Sequence, residues 1–172
     1  MSTAKKITLS GVYVALLIAS QWIFSFVAGV EIVTVLLLAF SYRVGVKAGL
    51  LTATAFSLLR CFLFGFVPQV VVLYLVYYNL FALFFGWLGK KTWGRYGAGM
   101  HFILVLLACA FTACFTLLDD IITPLALGFN LSAAKAYFIA SLPVMLAQVV
   151  CSAVTVGVLL FPVYKGLSLV CK

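Results

Sequence analysis

Residues 10–26, SGVYVALLIASQWIFSF, form the apolar run that most constrains how this chain can fold. The run follows Lys5 and Lys6, and it is long enough to cross a bilayer as a helix, which takes about 17–25 apolar residues. No small-residue cleavage site follows it, which favours a retained span over a removable signal peptide. Similar runs recur along the chain, which is 67% hydrophobic and 8% charged. Soluble domains carry about 25% charged residues, so the composition indicates an integral membrane protein.

The apolar runs predict an all-α integral membrane protein, a bundle of six transmembrane helices that forms one domain over residues 1–172. Residues 89–97, GKKTWGRYG, are the only strongly polar segment and predict a loop with interfacial aromatic residues. Pro124 predicts an irregular connection before the last span, and Pro143 is compatible with a bend within that span. The predicted spans are residues 8–27, 31–43, 48–66, 69–88, 101–121 and 136–163.

Lysine and arginine are distributed unevenly between the two sides of this predicted bundle. Nine of the 11 basic residues fall on the side of the N-terminus, whereas Lys135 falls on the other side and Arg60 within a span. Because cytoplasmic loops carry an excess of Lys and Arg, both termini are predicted to be cytoplasmic. This bias explains the net charge of +8 without a nucleic-acid partner. The nine residues are Lys5, Lys6, Arg43, Lys47, Lys90, Lys91, Arg95, Lys165 and Lys172.

Glu31 and Arg60 are predicted to reach a similar depth in the outer half of neighbouring antiparallel spans. At 1.5 Å per helical residue, Arg60 lies about 20 Å from Lys47, and Glu31 lies about 18 Å from Arg43. A charge in the hydrocarbon costs about 2.5–3.5 kcal/mol on insertion scales, so each residue should face a cavity or a partner. Two interpretations remain open: a static ion pair between the second and third spans, and one wall of an outward-facing polar pocket.

Further polar and aromatic residues fall in the same outer half. Asp119 and Asp120 close the fifth span, where they either meet water or Lys135 at the interface or join the pocket. The other candidates are belt or core residues in one interpretation and pocket residues in the other: Gln21, Trp22, Tyr74, Tyr77, Tyr78, Asn79 and Gln148. An aromatic cavity with a few polar groups suits a flat heterocycle. Three acids against one arginine favour a neutral or cationic ligand.

The chain lacks the residue combinations that catalysis would need. Its single histidine, His101, lies at the predicted cytoplasmic end of the fifth span, far from the acidic residues. The five cysteines form no CxxC pair, so a metal site is not expected. No glycine-rich phosphate loop is present, so any ATP must be used by a partner. We therefore expect no enzymatic activity and no cofactor in this chain.

Gly11, Ala15 and Ala19 recur every four residues and form a stripe of small residues on one face of the first helix. Such stripes let another helix backbone approach closely in a membrane. The stripe either packs inside this chain's own bundle or contacts a partner protein.

The Ala15-Leu-Leu-Ile-Ala19 motif, six short spans and cytoplasmic termini together resemble the S component of energy-coupling-factor (ECF) transporters. The segment of residues 29–49, GVEIVTVLLLAFSYRVGVKAG, is also similar in character. The resemblance implies that Gly11, Ala15 and Ala19 dock on a transmembrane coupling subunit that works with a pair of ATPases. It also implies capture of a vitamin, a vitamin precursor or a related heterocycle at the cell membrane of a prokaryote.

Under that resemblance, the expected substrate-binding residues are the polar and aromatic residues of the outer half. They are Glu31, Arg60, Tyr74, Tyr78, Asn79, Asp119, Asp120 and Gln148. The alternative function is a self-contained small membrane transporter or a structural or assembly protein, in which these charges only hold the bundle together.

Overall fold

The structure is a computed structural model that describes residues 2–25 and 32–171. These residues are almost entirely helical and include no β-strand. Five of the helices are long and apolar enough to cross a membrane, and α2, with 13 residues, is shorter. The chain is therefore an all-helical, membrane-embedded protein. The helices are α1 (Thr3–Phe24), α2 (Ile32–Val44), α3 (Val46–Phe64), α4 (Pro68–Lys91), α5 (Ala98–Ala126) and α6 (Leu131–Val170).

Each apolar run of the sequence corresponds to one of these helices, but several bounds differ from the prediction. The predicted polar loop at residues 89–97 is partly helical, because α4 continues to Lys91. Pro124 lies inside α5 and not in the connection after it. The 40 residues of α6 span about 60 Å, twice the hydrocarbon thickness of a bilayer, and include Pro143 and Pro162. That α2 is a sixth span and that both termini are cytoplasmic stay predictions.

The shortest helix, α2, lies at the centre of the bundle. It packs against all five other helices, which follow one another around it in the order α1, α3, α4, α5, α6. Every side chain from Val33 to Tyr42 is buried. The segment IVTVLLLAFS has no polar face, and a helix that is apolar all round is typically buried.

Two glycines of α4 bring its backbone against the end of α2 and the start of α3. A methyl group added to Gly89 would lie 2.0 Å from the carbonyl oxygen of Tyr42. One added to Gly86 would lie 2.8 Å from the Cα of Val46. Only glycine permits so close an approach, so these residues fix the position of α4.

A series of polar contacts joins the antiparallel helices α5 and α6. The Thr112 hydroxyl donates a 3.1 Å bond to the Ser152 hydroxyl, and the Thr116 hydroxyl donates a 2.8 Å bond to Oε1 of Gln148. Farther along α5, Asp119 and Asp120 also contact side chains of α6. Hydrogen bonds between helices stabilise membrane bundles where lipid removes the hydrophobic drive. The two longest helices therefore form a polar-bonded hairpin.

Candidate binding site

Asp119 and Asp120 lie within α5, and their carboxylates are half-buried and face α6. Asp119 accepts 2.7 Å hydrogen bonds from the hydroxyls of Thr123 and Tyr137, one on each carboxylate oxygen. Oδ2 of Asp120 accepts a 2.7 Å bond from Ser141, while its Oδ1 is buried and has no hydrogen-bond partner within residues 2–25 and 32–171. Both acids therefore contact hydroxyl groups of the α5–α6 hairpin, whereas Lys135, their possible partner from the sequence, lines a separate surface groove.

These contacts border a cavity between α5 and α6, which we call the hairpin cavity. Its volume is about 270 Å³. One wall is the ring of Phe115, and the other walls carry a carboxylate, a phenol, two hydroxyls and an amide. The lining residues are Phe115, Thr116, Asp119, Tyr137, Ala140, Ser141, Val144 and Gln148. An aromatic surface beside a few polar groups is the composition of a small-molecule site.

Gln148 has hydrogen-bonding capacity left for a ligand. Its Oε1 accepts the hydrogen bond from Thr116, and this bond fixes the side-chain amide at the cavity wall. An amide carries two N–H donors in addition to its oxygen. Asp119, by contrast, can only accept when it is ionised. The hairpin cavity thus offers both donors and an anionic acceptor.

An aromatic cluster lies on the other side of Phe115. The Phe115 ring centroid is 4.8 Å from that of Tyr77 and 5.7 Å from that of Tyr74. Tyr78 lies 6.4 Å from the same ring, and all three tyrosines are buried. Tyr74 and Tyr78 therefore support the wall of the hairpin cavity through Phe115 and do not line it.

Arg60 lies over the face of Tyr74, with Cζ 4.1 Å from the ring centroid, and 5.3 Å from the ring of Phe64. Its Nε is buried and has no hydrogen-bond partner among the described residues. Gln21 approaches the same ring from α1, where its Nε2 donates a 3.5 Å bond to the Tyr74 hydroxyl. Its Oε1 is also buried and accepts no hydrogen bond from the residues that the structure describes. A polar corner of α1, α3 and α4 thus adjoins the aromatic cluster. Trp22, the neighbour of Gln21, is exposed and contacts Phe64.

Asp119 and Gln148 are the expected binding residues that line the hairpin cavity, whereas five other described ones do not line it: Arg60, Tyr74, Tyr78, Asn79 and Asp120. Asn79 lies between α3 and α4, where its Oδ1 accepts a 2.8 Å bond from Thr54 and its Nδ2 donates to the Leu75 carbonyl. These bonds use its polar atoms for helix packing, as expected for an amide in an apolar environment. Glu31 lies outside the described residues, so its pairing with Arg60 stays a prediction.

The small-residue stripe Gly11, Ala15 and Ala19 lies on the outer surface of α1. The opposite face of the helix, which includes Tyr13 and Leu17, is buried against α2 and α3. Outside the neighbouring backbone of α1, no described atom lies within 4 Å of a methyl group added to Gly11. The described helices therefore do not pack on the stripe.

No protein-family model matches the chain, and comparisons with curated proteins and with solved structures find no significant similarity. The resemblance to ECF S components thus depends on the features of the chain itself.

Sequence reasoning did not identify three residues that complete the hairpin cavity: Tyr137, Ser141 and Phe115. Tyr137 and Ser141 are four residues apart, at the start of the long α6, and this spacing places both on one helix face. The two adjacent acids at the end of α5 could have pointed to that face, because a carboxylate within a membrane helix needs hydroxyl or cationic partners.

Proposed function

We propose that this chain is the substrate-capture subunit of an ECF-type transporter for a vitamin or a related heterocycle. It has six spans and cytoplasmic termini, lies in the cell membrane of a prokaryote and has no catalytic activity or cofactor of its own. A coupling subunit and a pair of ATPases supply the energy for transport.

The exposed stripe of Gly11, Ala15 and Ala19 is the observation that carries this proposal. The bundle is already packed without it, since α1 buries its other face against α2 and α3. Small residues on a lipid-facing surface contribute little to lipid contact, but they allow close approach of a second helix. A transmembrane partner that packs on α1 therefore gives the stripe a role that the isolated chain does not.

The hairpin cavity is the proposed substrate site. Phe115 presents a ring for stacking, Gln148 presents amide donors, and Asp119 presents a fixed negative charge. At about 270 Å³ the cavity is slightly below the usual range of roughly 300–1,000 Å³ for small-molecule sites, so the ligand must be small. We expect a single-ring or compact heterocycle that is neutral or cationic at the edge facing Asp119.

Co-purification tests both parts of the proposal. The tagged wild-type protein should bring down a coupling subunit and two ATPases, and Ala15→Trp or Ala19→Trp should abolish this complex. Ala110→Trp is the matched control, because Ala110 is an exposed alanine on α5. All three variants should bind ligand as the wild type does, since the stripe and the hairpin cavity share no residue.

The outcomes separate this function from its alternative. A wild-type protein that transports substrate in vesicles without any ATPase would be a self-contained transporter. Equal loss of the complex in Ala110→Trp would show that bulk on any outer face disrupts it, and would remove the support of the stripe. Mass spectrometry of the small molecules that co-purify with the protein would identify the substrate.

A further inference from the structure

A cavity of about 690 Å³ lies at the end of the bundle opposite to the acids, and we call it the basic cavity. Cationic side chains from several elements converge on it: Lys6 of α1, Arg43 of α2, Lys47 of α3 and Lys90 of α4. The remaining lining residues are Tyr42, Val44, Gly45, Val46, Trp87, Gly89, Trp93 and Gly94. No carboxylate is among them.

The cations of the basic cavity have no acidic partner within the described part of the chain. The side-chain carboxylates of the described residues are those of Asp119 and Asp120. They lie toward the far end of α5 and contact hydroxyls of α6. Arg43 is held in place by a 3.2 Å bond from its Nε to the Ser168 hydroxyl, a neutral acceptor. Four like charges around one cavity repel one another unless an anion enters it.

Helix dipoles and membrane orientation account for only part of this arrangement. Arg43 and Lys90 lie in the last turns of their helices, where a cation is stabilised by the helix dipole. Lys47 lies in the first turn of α3, where the dipole disfavours a cation. The positive-inside rule explains why these residues share a side, but not why they line the same cavity.

Two tryptophans border the basic cavity and indicate what kind of anion fits. Trp87 and Trp93 also line a second cavity of about 410 Å³ together with Lys90 and Lys91. Trp93 is 90% exposed and has a φ of 55°, a left-handed conformation that is unfavourable for a bulky residue. Tryptophan is enriched at the depth of lipid headgroups, where its ring contacts both the apolar and the polar phase.

Two tyrosine hydroxyls fix the connection between α4 and α5 that carries Trp93. The Tyr42 hydroxyl donates a 2.7 Å bond to the Arg95 carbonyl, and the Tyr164 hydroxyl donates to the Gly94 carbonyl. The ring of Tyr164 stacks on that of Tyr96 with centroids 4.4 Å apart. Trp93 is therefore held outward beside the cations on a well-packed support.

We propose that the basic cavity binds the phosphate headgroup of an anionic phospholipid. Lys6, Arg43, Lys47 and Lys90 contact the phosphate, and Trp87 and Trp93 contact the glycerol and the first acyl carbons. Basic pockets between transmembrane helices are known sites for such headgroups. The volume lies within the range of small-molecule sites.

The test is a titration of the full-length protein in a neutral detergent with short-chain phosphatidylglycerol, followed by calorimetry. Short-chain phosphatidylcholine and inorganic phosphate are titrated in parallel. We expect saturable binding of phosphatidylglycerol alone. A Lys or Arg near an anionic surface contributes roughly 1 kcal/mol, or about fivefold in affinity, so the double variant Lys47→Gln, Lys90→Gln should bind about 30-fold more weakly.

The matched control is Arg95→Gln, Lys165→Gln, which removes two exposed cations near the same end of the bundle but outside the cavity. Its affinity for phosphatidylglycerol should lie within about twofold of that of the wild type, and Lys47→Arg, Lys90→Arg should retain the wild-type affinity.

Equal weakening of lipid binding in the control variant would mean diffuse attraction to the surface and would overturn the proposal. Binding of inorganic phosphate as tight as that of phosphatidylglycerol would assign the cavity to a soluble anion instead. Unchanged binding of phosphatidylglycerol in Lys47→Gln, Lys90→Gln would also overturn the proposal.

Discussion

The Tyr137 hydroxyl donates a 2.7 Å hydrogen bond to Oδ2 of Asp119 and thereby joins α6 to α5 at the wall of the hairpin cavity. Because Thr123 donates to the other carboxylate oxygen, the charge of Asp119 is held in one orientation. A carboxylate fixed in this way can act as a binding group for a cation without first losing side-chain entropy.

Replacement of Asp119 by asparagine should discriminate between ligands by their charge. Hydrogen bonds to charged groups contribute about 1.5–3 kcal/mol, so Asp119→Asn should weaken binding of a cationic heterocycle at least about tenfold. The affinity for a neutral analogue of the same shape should fall less than roughly threefold, because this ligand makes no charge–charge contact that the substitution could remove. Isothermal titration calorimetry of both ligands measures the difference, with Asp120→Asn as the control outside the cavity lining. If the wild-type protein bound a phosphorylated or polycarboxylate compound more tightly than the cationic heterocycle, this would contradict the expected preference for neutral or cationic ligands.

Asn79 and Gln148, which the sequence placed in one pocket, should differ in their effect on binding. Asn79→Ala should leave ligand affinity unchanged and lower stability by about 0.5–1.5 kcal/mol, because it removes the bond from Thr54. Gln148→Ala should reduce affinity at least about fivefold, since it removes the amide donors of the hairpin cavity.

The Thr116→Val variant provides the control for Gln148. It removes the bond to Oε1 of Gln148 but keeps the amide, so its affinity should fall between those of the wild type and Gln148→Ala. Thermal unfolding and calorimetry are measured on each variant. A loss of affinity in Asn79→Ala equal to that in Gln148→Ala would place Asn79 at the ligand.

Substitution of the α4 glycine at the α2 contact should be strongly destabilising. A Cβ at Gly89 would lie 2.0 Å from the Tyr42 carbonyl oxygen, which belongs to the backbone and cannot rotate away. Gly89→Ala should therefore cost about 1–3 kcal/mol or more in thermal or denaturant unfolding. Gly157→Ala on α6 is the matched control, because no atom lies within 4 Å of its added methyl group. It should be neutral or stabilising by up to about 1 kcal/mol, and an equal loss in both variants would contradict the close packing of α4.

The helical fold could be predicted because each membrane-spanning helix is marked by a long run of apolar residues. Each apolar run became a helix, and α2 was recognisable as apolar on all sides. Helix ends were predicted less well, since packing overrides local signals. Gly89 suggested a loop by composition, but it lies in α4 where its missing side chain admits the Tyr42 carbonyl.

The candidate site was predicted in part, because depth follows from counting residues but helix orientation does not. Asp119, near the outer end of its span, and Gln148, in the middle of its span, were expected in one pocket and do line one cavity. Asn79 lies at a comparable depth but on a face that packs against α3, and a single sequence carries no signal of that rotation. Tyr137 lies within the predicted sixth span, but nothing in the sequence indicated that its side chain faces Asp119.

The Arg60 guanidinium lies over the ring of Tyr74, and its buried Nε has no hydrogen-bond partner in the part of the chain that the structure describes. A cation over an aromatic face contributes about 0.5–2 kcal/mol, which is less than the cost of an isolated charge in the hydrocarbon. We therefore still expect a carboxylate partner, and Glu31 is the residue that the sequence places at this depth. In a double-mutant cycle of thermal stability, Glu31→Gln and Arg60→Gln should each destabilise the protein. The double variant should lose less than the sum of both, because removal of one partner leaves the other charge buried and uncompensated. A cycle of Glu31→Gln with Lys165→Gln, whose lysine lies near the opposite end of the bundle, should be additive. Additivity in the Arg60 cycle as well would mean that the rings of Tyr74 and Phe64 alone hold the guanidinium.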